Sequence, residues 1–339
     1  MGFKALDPED LVVSTDAIAS PMWSNNAPTL TEFYTSSVQV SSNTSEFYYS
    51  VYQTESNDSS ADIQFSIAYC DAQGSGSNFY NSLVTGSSPT KTNYGQYRTL
   101  ILGDENTPFV FGGVTSSYFY VINVERSHYK EKMLNGTMTL KLTKGGSTLS
   151  LTDDSLIQLS TVFTDAGRKY NLISGSAGTL STALNPQGYS TDSGSYGWFL
   201  PDVGLIVLNG SALDNSGANG GIALGTARGF DTDSTNPAKI FAALNDGGQF
   251  TLNSQESLSS DFIFIRARNS EFNYSENPSF ISGSTGAVVF DSFIDNPKTY
   301  ITTVGLYNNN QELLAVAKLS RPLPKDYTKE LLVRVKLDF

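Results

Sequence analysis

The sequence predicts an all-β fold, built mainly of antiparallel, β-sandwich-like modules with long Ser/Gly/Asn-rich loops and one short helix near 237–244. Three observations predict it. Charged residues make up 16 % of the chain and aromatics 12 %, with 18 Tyr and 20 Phe, so helix-forming Lys, Glu and Arg are scarce while strand-formers are abundant. Ser, Thr, Asn and Gly dominate the polar positions, a composition suited to twisted sheets with many turns. Short runs alternate apolar and polar residues between clusters of turn-formers, the period of a half-buried strand. The apolar content is high enough to offset the entropy of folding. At 339 residues the chain has room for one large β domain or two to three smaller ones.

Residues 1–30 carry Asp7-Pro8, Ser20-Pro21 and Ala27-Pro28, spaced so that no long regular element fits. They read as an extended N-terminal arm leaning on another surface with Met22 and Trp23 as anchors, or as a cover over the chain's own core. Residues 31–150 form a β domain with strands expected at Ser36–Val40, Glu46–Gln53, Asp62–Tyr69, Tyr97–Leu102, Tyr118–Glu125, Thr137–Thr143 and Ser147–Thr152. Lys144-Gly145-Gly146 joins the last two as a hairpin. Phe47, Tyr48, Tyr49 and Tyr52 place aromatics on both faces of one strand, which implies cover on both sides, with a partner as one source of it. Arg126–Met133 is the most charged stretch here and reads as a helical turn. Residues 151–256 form a second β region with strands at Gln158–Phe163, Lys169–Ile173 and Tyr196–Leu208 and long loops between them. Its one helix is Pro237–Leu244, with Asn236 as cap, Pro237 in the first turn and Asp246-Gly247-Gly248 as the stop. No fixed-period repeat is visible, which excludes a β-solenoid or propeller.

Residues 257–339 close the chain. Strands are expected at Ile301–Leu306, Glu312–Leu319 and Leu331–Phe339, with Asn308-Asn309-Asn310 linking the first two. In the last run Val333, Val335, Leu337 and Phe339 take the core face, and Arg334 and Lys336 the solvent face. Arg266 and Arg268 alternate along 262–268, so they share a face beside a loop dense in Asn269, Asn273 and Asn277. Two readings fit: the arginines fork onto carboxylates of a neighbouring subunit or onto this loop, or they line an ordinary solvated strand.

The tail Ile301–Phe339 and the run RARNSEFNYSENPSF at Arg266–Phe280 resemble virion structural proteins of tailed bacteriophages, in particular the large contractile-tailed ones. MGFKALDPEDLVVSTD at Met1–Asp16, FYTSSVQV at Phe33–Val40 and YGQYRTLILGDEN at Tyr94–Asn106 extend the resemblance over most of the chain. The Gly305-Leu306-Tyr307-Asn308 hairpin and the following Leu-Leu-Ala-Val-Ala-Lys also look like segments of baseplate and tail-fibre-attachment proteins. The resemblance implies a non-enzymatic virion component, assembled in the host cytoplasm, whose partners are other tail, baseplate, neck or fibre subunits and further copies of itself. It also leaves open a neck or head–tail connector, and a receptor-binding or glycan-cleaving tail protein. Met22, Trp23, Tyr48, Tyr49, Tyr52, Arg266, Arg268, Asn273 and Phe339 are the candidate interface residues.

The remaining composition bounds the chemistry. A net charge of −12 argues against nucleic acid, whose phosphates need clustered Lys and Arg. One cysteine, Cys70, excludes an internal disulfide and reads as strand core. The single His128 would have to serve any His-dependent mechanism, and it lies in a polar run without a Gly-x-Ser-x-Gly elbow. Ser127-x-x-Lys130 lacks the companion motifs of an acyl-transferase. One Cys and one His leave no zinc set, and Asp231, Asp233, Asp153 and Asp154 read as turn-capping carboxylates rather than a calcium loop. No cofactor and no metal are expected. The first fourteen residues lack a basic start and an apolar core, and no apolar run approaches the length needed to cross a bilayer, so neither a signal peptide nor a membrane partner is expected.

Overall fold

A computed structural model describes residues 4–36, 48–76, 88–181, 187–229 and 232–338. The fold is mostly β with few short helices, as the composition requires. In chain order its strands are β1 Leu11–Pro21, β2 Thr29–Leu30, β3 Tyr48–Tyr52, β4 Ile63–Asp71, β5 Phe109–Phe111, β6 Val114–Ser116, β7 Tyr118–Val124, β8 Lys132–Met133, β9 Thr139–Lys144 and β10 Ser147–Asp153. There follow β11 Val162–Thr164, β12 Gly167–Ser176, β13 Thr179–Leu180, β14 Gly197–Leu200, β15 Leu205–Asn209, β16 Gln249–Thr251, β17 Asn253–Ala267, β18 Thr299–Tyr307, β19 Leu313–Lys325 and β20 Leu331–Asp338. The chain divides into two compact units. The larger is Ile18–Glu256; the smaller joins Met1–Ala17 to Ser257–Phe339.

The larger unit is organised by one sheet with the order β2-β16-β9-β10-β12-β14-β15-β7-β4-β3, antiparallel throughout. Residues from the blocks 31–150 and 151–256 alternate within it. Its central strands are apolar on both faces. In β4, Phe65, Ile67 and Tyr69 enter one core, and Ala68 and Cys70 the other; β7 divides Tyr120, Ile122 and Val124 from Phe119 and Val121 in the same way. The second core is covered by the helix Thr90–Leu102 through Tyr94, Tyr97 and Ile101.

The first core shows that the sheet is rolled. Phe65 on β4 and Phe250 on β16 have ring centroids 5.5 Å apart. Six strands lie between them in the sheet order, so a flat sheet would hold them about 34 Å apart at about 4.8 Å per strand. The ladder also closes. Leu30 in β2 pairs with Phe250, and four residues later Tyr34 exchanges both backbone hydrogen bonds with Tyr52 of β3, at 3.0 and 2.9 Å. The segment 29–34 therefore joins the first strand of the path to the last, removing the free edges of an open sheet. Ile240, Ala243 and Leu244 of the helix Asn236–Asn245 fill the interior with Trp23, Leu140, Leu151 and Phe199.

Several expected elements change at this level. The run 97–102 is the end of a helix, not a strand. Its buried residues Thr90, Asn93, Tyr94, Tyr97 and Ile101 keep a three-to-four spacing, and Gly103 stops it at φ 64°, its N–H donating to Thr99 O. The run 196–208 is two strands around a turn at 201–204, where Gly204 has φ 73°. The run 126–133 is a single 3-10 turn at Arg126–His128 followed by β8. Of 158–163, Val162 and Phe163 alone lie in a strand. The expected single helix is joined by Thr90–Leu102 and by short helices at Gly210–Asp214 and Ser292–Asp295. Asn236 is the first residue of its helix rather than the cap. Its side chain instead accepts from Ala227 N–H at 2.9 Å and donates to Ala227 O at 2.6 Å. The hairpin at Gly145-Gly146 forms as its dipeptide dictates, with φ 56° and 84°. Residues 37–47, which include most of the strand expected at 36–40 and the start of that at 46–53, lie outside the described residues.

The smaller unit contains β17 with β20 and β1 beside it, and the hairpin β18–β19. Ile263, Val333 and Val335 form its buried core, packed with Val304, Leu306, Ala317, Leu319 and Leu337. The alternation in β20 falls in the expected register: Val333 and Val335 are 8 % and 6 % exposed while Arg334 and Lys336 face solvent and approach the Phe262 ring. β19 runs through Pro322 and Pro324, which the sequence placed in a connection. As an edge strand it tolerates the missing donors, and a bulge between Ile301 and Thr303 takes up the extra length.

Candidate interaction surface

The expected interface residues do not gather into one site. Met22 and Trp23 are each 2 % exposed in the chain's own core, with Trp23 4.8 Å from Phe250 and 6.1 Å from Phe65. They are therefore occupied in covering this core, the second of the two roles their spacing allowed. Tyr48 and Tyr49 point to opposite faces of β3, and each face is covered from within the chain. Tyr49 meets Phe241 of the helix Asn236–Asn245 at 5.1 Å, and the Tyr48 hydroxyl donates to Gln96 of the helix Thr90–Leu102 at 3.3 Å. Tyr52 is held by Tyr34. Phe339 lies outside the described residues.

Arg266 and Arg268 are exposed, and among the described residues neither guanidinium forms an ion pair. Glu271 is taken by Lys4 at 2.8 Å and by the backbone N–H of Arg268. The cation that organises the Asn-rich loop is Lys325. It is fully buried, and its ammonium donates to Asn269 O, the Asn273 side-chain oxygen and Asp326 O at 2.9, 2.8 and 2.8 Å. Asn273 is thus a structural acceptor, and it donates in turn to Asn269 O. Nothing in the sequence pairs Lys325 with residues more than fifty positions away, so this contact had no local signal.

The groups that could carry chemistry are engaged structurally. His128 Nε2 donates to Ile63 O at 2.9 Å, with the Asp62 carboxylate 3.5 Å away. Cys70 is fully buried, which pushes its thiol well above the ordinary range. Arg228 forks onto Asp71 at 2.8 and 2.9 Å and stacks on Tyr118, tying the segment 222–229 to β4. Beside it Ser88 and Thr90 donate to Asp233, 2 % exposed, whose carboxyl is pushed up to about 6, chiefly by burial. Among the described residues no group of three His, Cys, Asp or Glu is arranged to hold a metal ion.

What remains, and what the sequence did not single out, is the loop 155–163 (SLIQLSTVF). Leu159 is completely exposed, Leu156 and Phe163 are each 67 % exposed, and Ile157 and Val162 are 50 % and 42 % exposed. Its base is fixed. β10 ends in Asp153, and Asp154 follows it, both buried. Asp153 accepts Gly136 N–H at 2.9 Å, and Asp154 accepts the backbone and side chain of Asn171 and the side chain of Gln158 at 2.9–3.0 Å. Burial pushes both carboxyls above the usual range, against the pull of these donors. Leu156 leans on Gly136 and Gly178: a Cβ at Gly178 would lie 2.5 Å from its side chain. On the far side β11 pairs Phe163 with Arg168, and Arg168 is pinned to Asp202 at 3.0 Å. The loop is thus a firmly based apolar protrusion. Five large side chains in nine residues, read without a partner strand, look like a buried strand, and their lack of a two-residue period was the available warning.

The smaller unit adds a second apolar surface. The face of the β18–β19 hairpin turned from its core carries Leu314 and Val316, 68 % and 58 % exposed, with the Tyr307 ring over Gly305. No protein-family model matches the chain, and no curated protein or solved structure matches it.

Proposed function

We propose that this chain is a non-enzymatic structural component of a tailed-phage virion, in the contractile tail at the baseplate or fibre-attachment region, and that it works by holding neighbouring subunits through apolar contacts. The resemblance of the tail and of the run 266–280 supplies the particle; the loop 155–163 supplies the contact. Contiguous apolar side chains on a fixed base are a feature of surfaces that another molecule covers. Completing the burial of these five side chains is worth about 5–10 kcal/mol, against about 4–15 kcal/mol for association. Such a contact is weak alone and strong when many copies act together in one particle.

The test is incorporation. Phage carrying Leu159→Asp, a change at a fully exposed position, should yield folded chain that fails to enter particles, while Ser160→Ala, at an exposed position of the same loop, should enter normally. Normal incorporation of Leu159→Asp, or release of reducing sugar from host polysaccharide by the purified chain, would reject this reading. Locating the chain in a density map of the particle separates the baseplate from the neck.

A further inference from the structure

We propose that Lys325 and Asn273 become joined through their side chains in an isopeptide bond, which the chain forms on itself with loss of ammonia. The bond braces the smaller unit from within and requires no second molecule, so it stands apart from the assembly reading above.

Lys325 ends β19 and is fully buried; Asn273 is half-buried in the loop that follows β17. A buried ammonium costs free energy unless a counter-charge compensates it. Among the described residues no carboxylate forms an ion pair with Lys325. The adjacent Asp326 turns its carboxylate to Thr328 N–H at 2.9 Å and to Lys329 at 3.8 Å. The three acceptors of Lys325 are neutral amide oxygens: Asn269 O, Asp326 O and Asn273 Oδ1. Turning the amine into an amide keeps the side chain in place and removes the charge.

The geometry supplies the reacting groups. Lys325 Nζ lies 2.8 Å from Asn273 Oδ1. A carbonyl bond is about 1.23 Å long, so Nζ is within about 4 Å of Asn273 Cγ. Reacting atoms held at about 3–3.5 Å behave as if at about 10⁵–10⁸ M, and a small rotation of the Asn273 amide closes the difference. The departing group is placed by the same neighbour. Asn273 Nδ2 donates to Asn269 O at 2.7 Å, and Lys325 Nζ donates to that oxygen at 2.9 Å. One backbone carbonyl thus holds the attacking and leaving nitrogens side by side.

In the step, the Lys325 ammonium first gives one proton to water. The freed electron pair of Nζ forms the bond to Cγ. One of the two remaining Nζ hydrogens passes to Nδ2, the Cγ–Nδ2 bond breaks, and its electron pair leaves with ammonia, which takes up the proton from water. The product is a neutral secondary amide. Because the neutral amine is the nucleophile, the step quickens as pH rises. The smaller unit gains from it: its buried cluster is Ile263, Val333 and Val335, and the one cysteine lies in the larger unit. The new bond ties positions 52 residues apart, which restricts the unfolded chain as a disulfide would.

The experiment is mass spectrometry of the purified full chain, denatured, both fresh and after prolonged incubation at alkaline pH. The wild type should be lighter than its sequence mass of 36.6 kDa by one ammonia, about 17 Da. Lys325→Arg and Asn273→Ala should keep their full sequence masses. The deciding readout is the tryptic digest. It should contain one branched peptide joining 269–298 to 319–329, uncut at Lys325, with fragment ions from both arms. Wild-type chain that gives these two segments only as separate peptides, fresh and after alkaline incubation, overturns the proposal. So does an ammonia loss that Lys325→Arg retains in full. The wild-type digest decides by itself, so a variant that fails to fold leaves the test intact.

Discussion

Replacing Trp23 by alanine separates the two roles that the N-terminal segment could play. Trp23 is 2 % exposed and packs on Phe250 and Phe65, the two rings that meet across the rolled sheet. Deleting a buried aromatic of this size costs about 3–5 kcal/mol. Against this, Trp23 Nε1 is a buried donor without a hydrogen-bond partner among the described residues, and losing it returns about 1–3 kcal/mol. The net expectation is a loss of about 2 kcal/mol, the middle of a range of about 0–4 kcal/mol, a sizeable part of the ~5–15 kcal/mol a domain holds. Trp23→Phe keeps most of the ring and releases the stranded N–H, so it should stay within about 1 kcal/mol of the wild type by the same two magnitudes. The assay is urea unfolding followed by tryptophan fluorescence. The second tryptophan, Trp198, sits in the other core of the same unit and reports it alone. With a slope of about 2–3 kcal/mol/M, Trp23→Ala should lower the midpoint by about 0.7–1 M. An unchanged midpoint combined with failure to enter particles would refute the reasoning and restore Trp23 as an anchor on another chain.

Asp233 makes stability depend on pH. Its folded pKa of about 6 lies above the ordinary 3.8, so its contribution is full below about pH 4 and is lost as pH rises through 6, a difference of about 3 kcal/mol. Asp233→Asn should therefore unfold at higher urea than the wild type at pH 8 and together with it at pH 4; equal midpoints at both pH values would contradict this. Lys325→Met should leave three acceptors, that of Asp326 buried, without their donor and expose the segment 257–338 to limited proteolysis, while the tryptophan-monitored transition stays put. In β20, Val335→Ala should destabilise the smaller unit by about 1–2 kcal/mol, whereas Lys336→Gln, which removes an exposed pair with Asp338, should change it by less than about 1 kcal/mol, as thermal unfolding followed by circular dichroism would show.

Local pattern carried much of the fold. β20 was readable because Val333, Arg334, Val335 and Lys336 alternate and one face is buried, so the register had a single solution. The Gly145-Gly146 hairpin was readable because two consecutive positive φ angles need such residues. The aromatics of β3 correctly indicated cover on both faces, but not that the cover is two helices of the same chain. One of these, Thr90–Leu102, escaped notice because its buried face is made of Thr, Asn and Tyr as much as Ile. The run 155–163 shows the opposite failure. An apolar stretch reads as core unless something reveals that no strand arrives to cover it, and that is a property of the tertiary arrangement.

The closure of the rolled sheet has a temporal side. Leu30 finds its strand partner in Phe250, about two hundred and twenty residues further along the chain. At synthesis rates of about 5–20 residues per second, the segment 22–34 waits roughly 10–40 s for the strand that receives it. Throughout that interval Met22, Trp23 and Phe33 have no finished core to enter, and their apolar side chains are open to chaperones and to other nascent chains. The last step of building this unit is thus the return of its first residues to the strand made last.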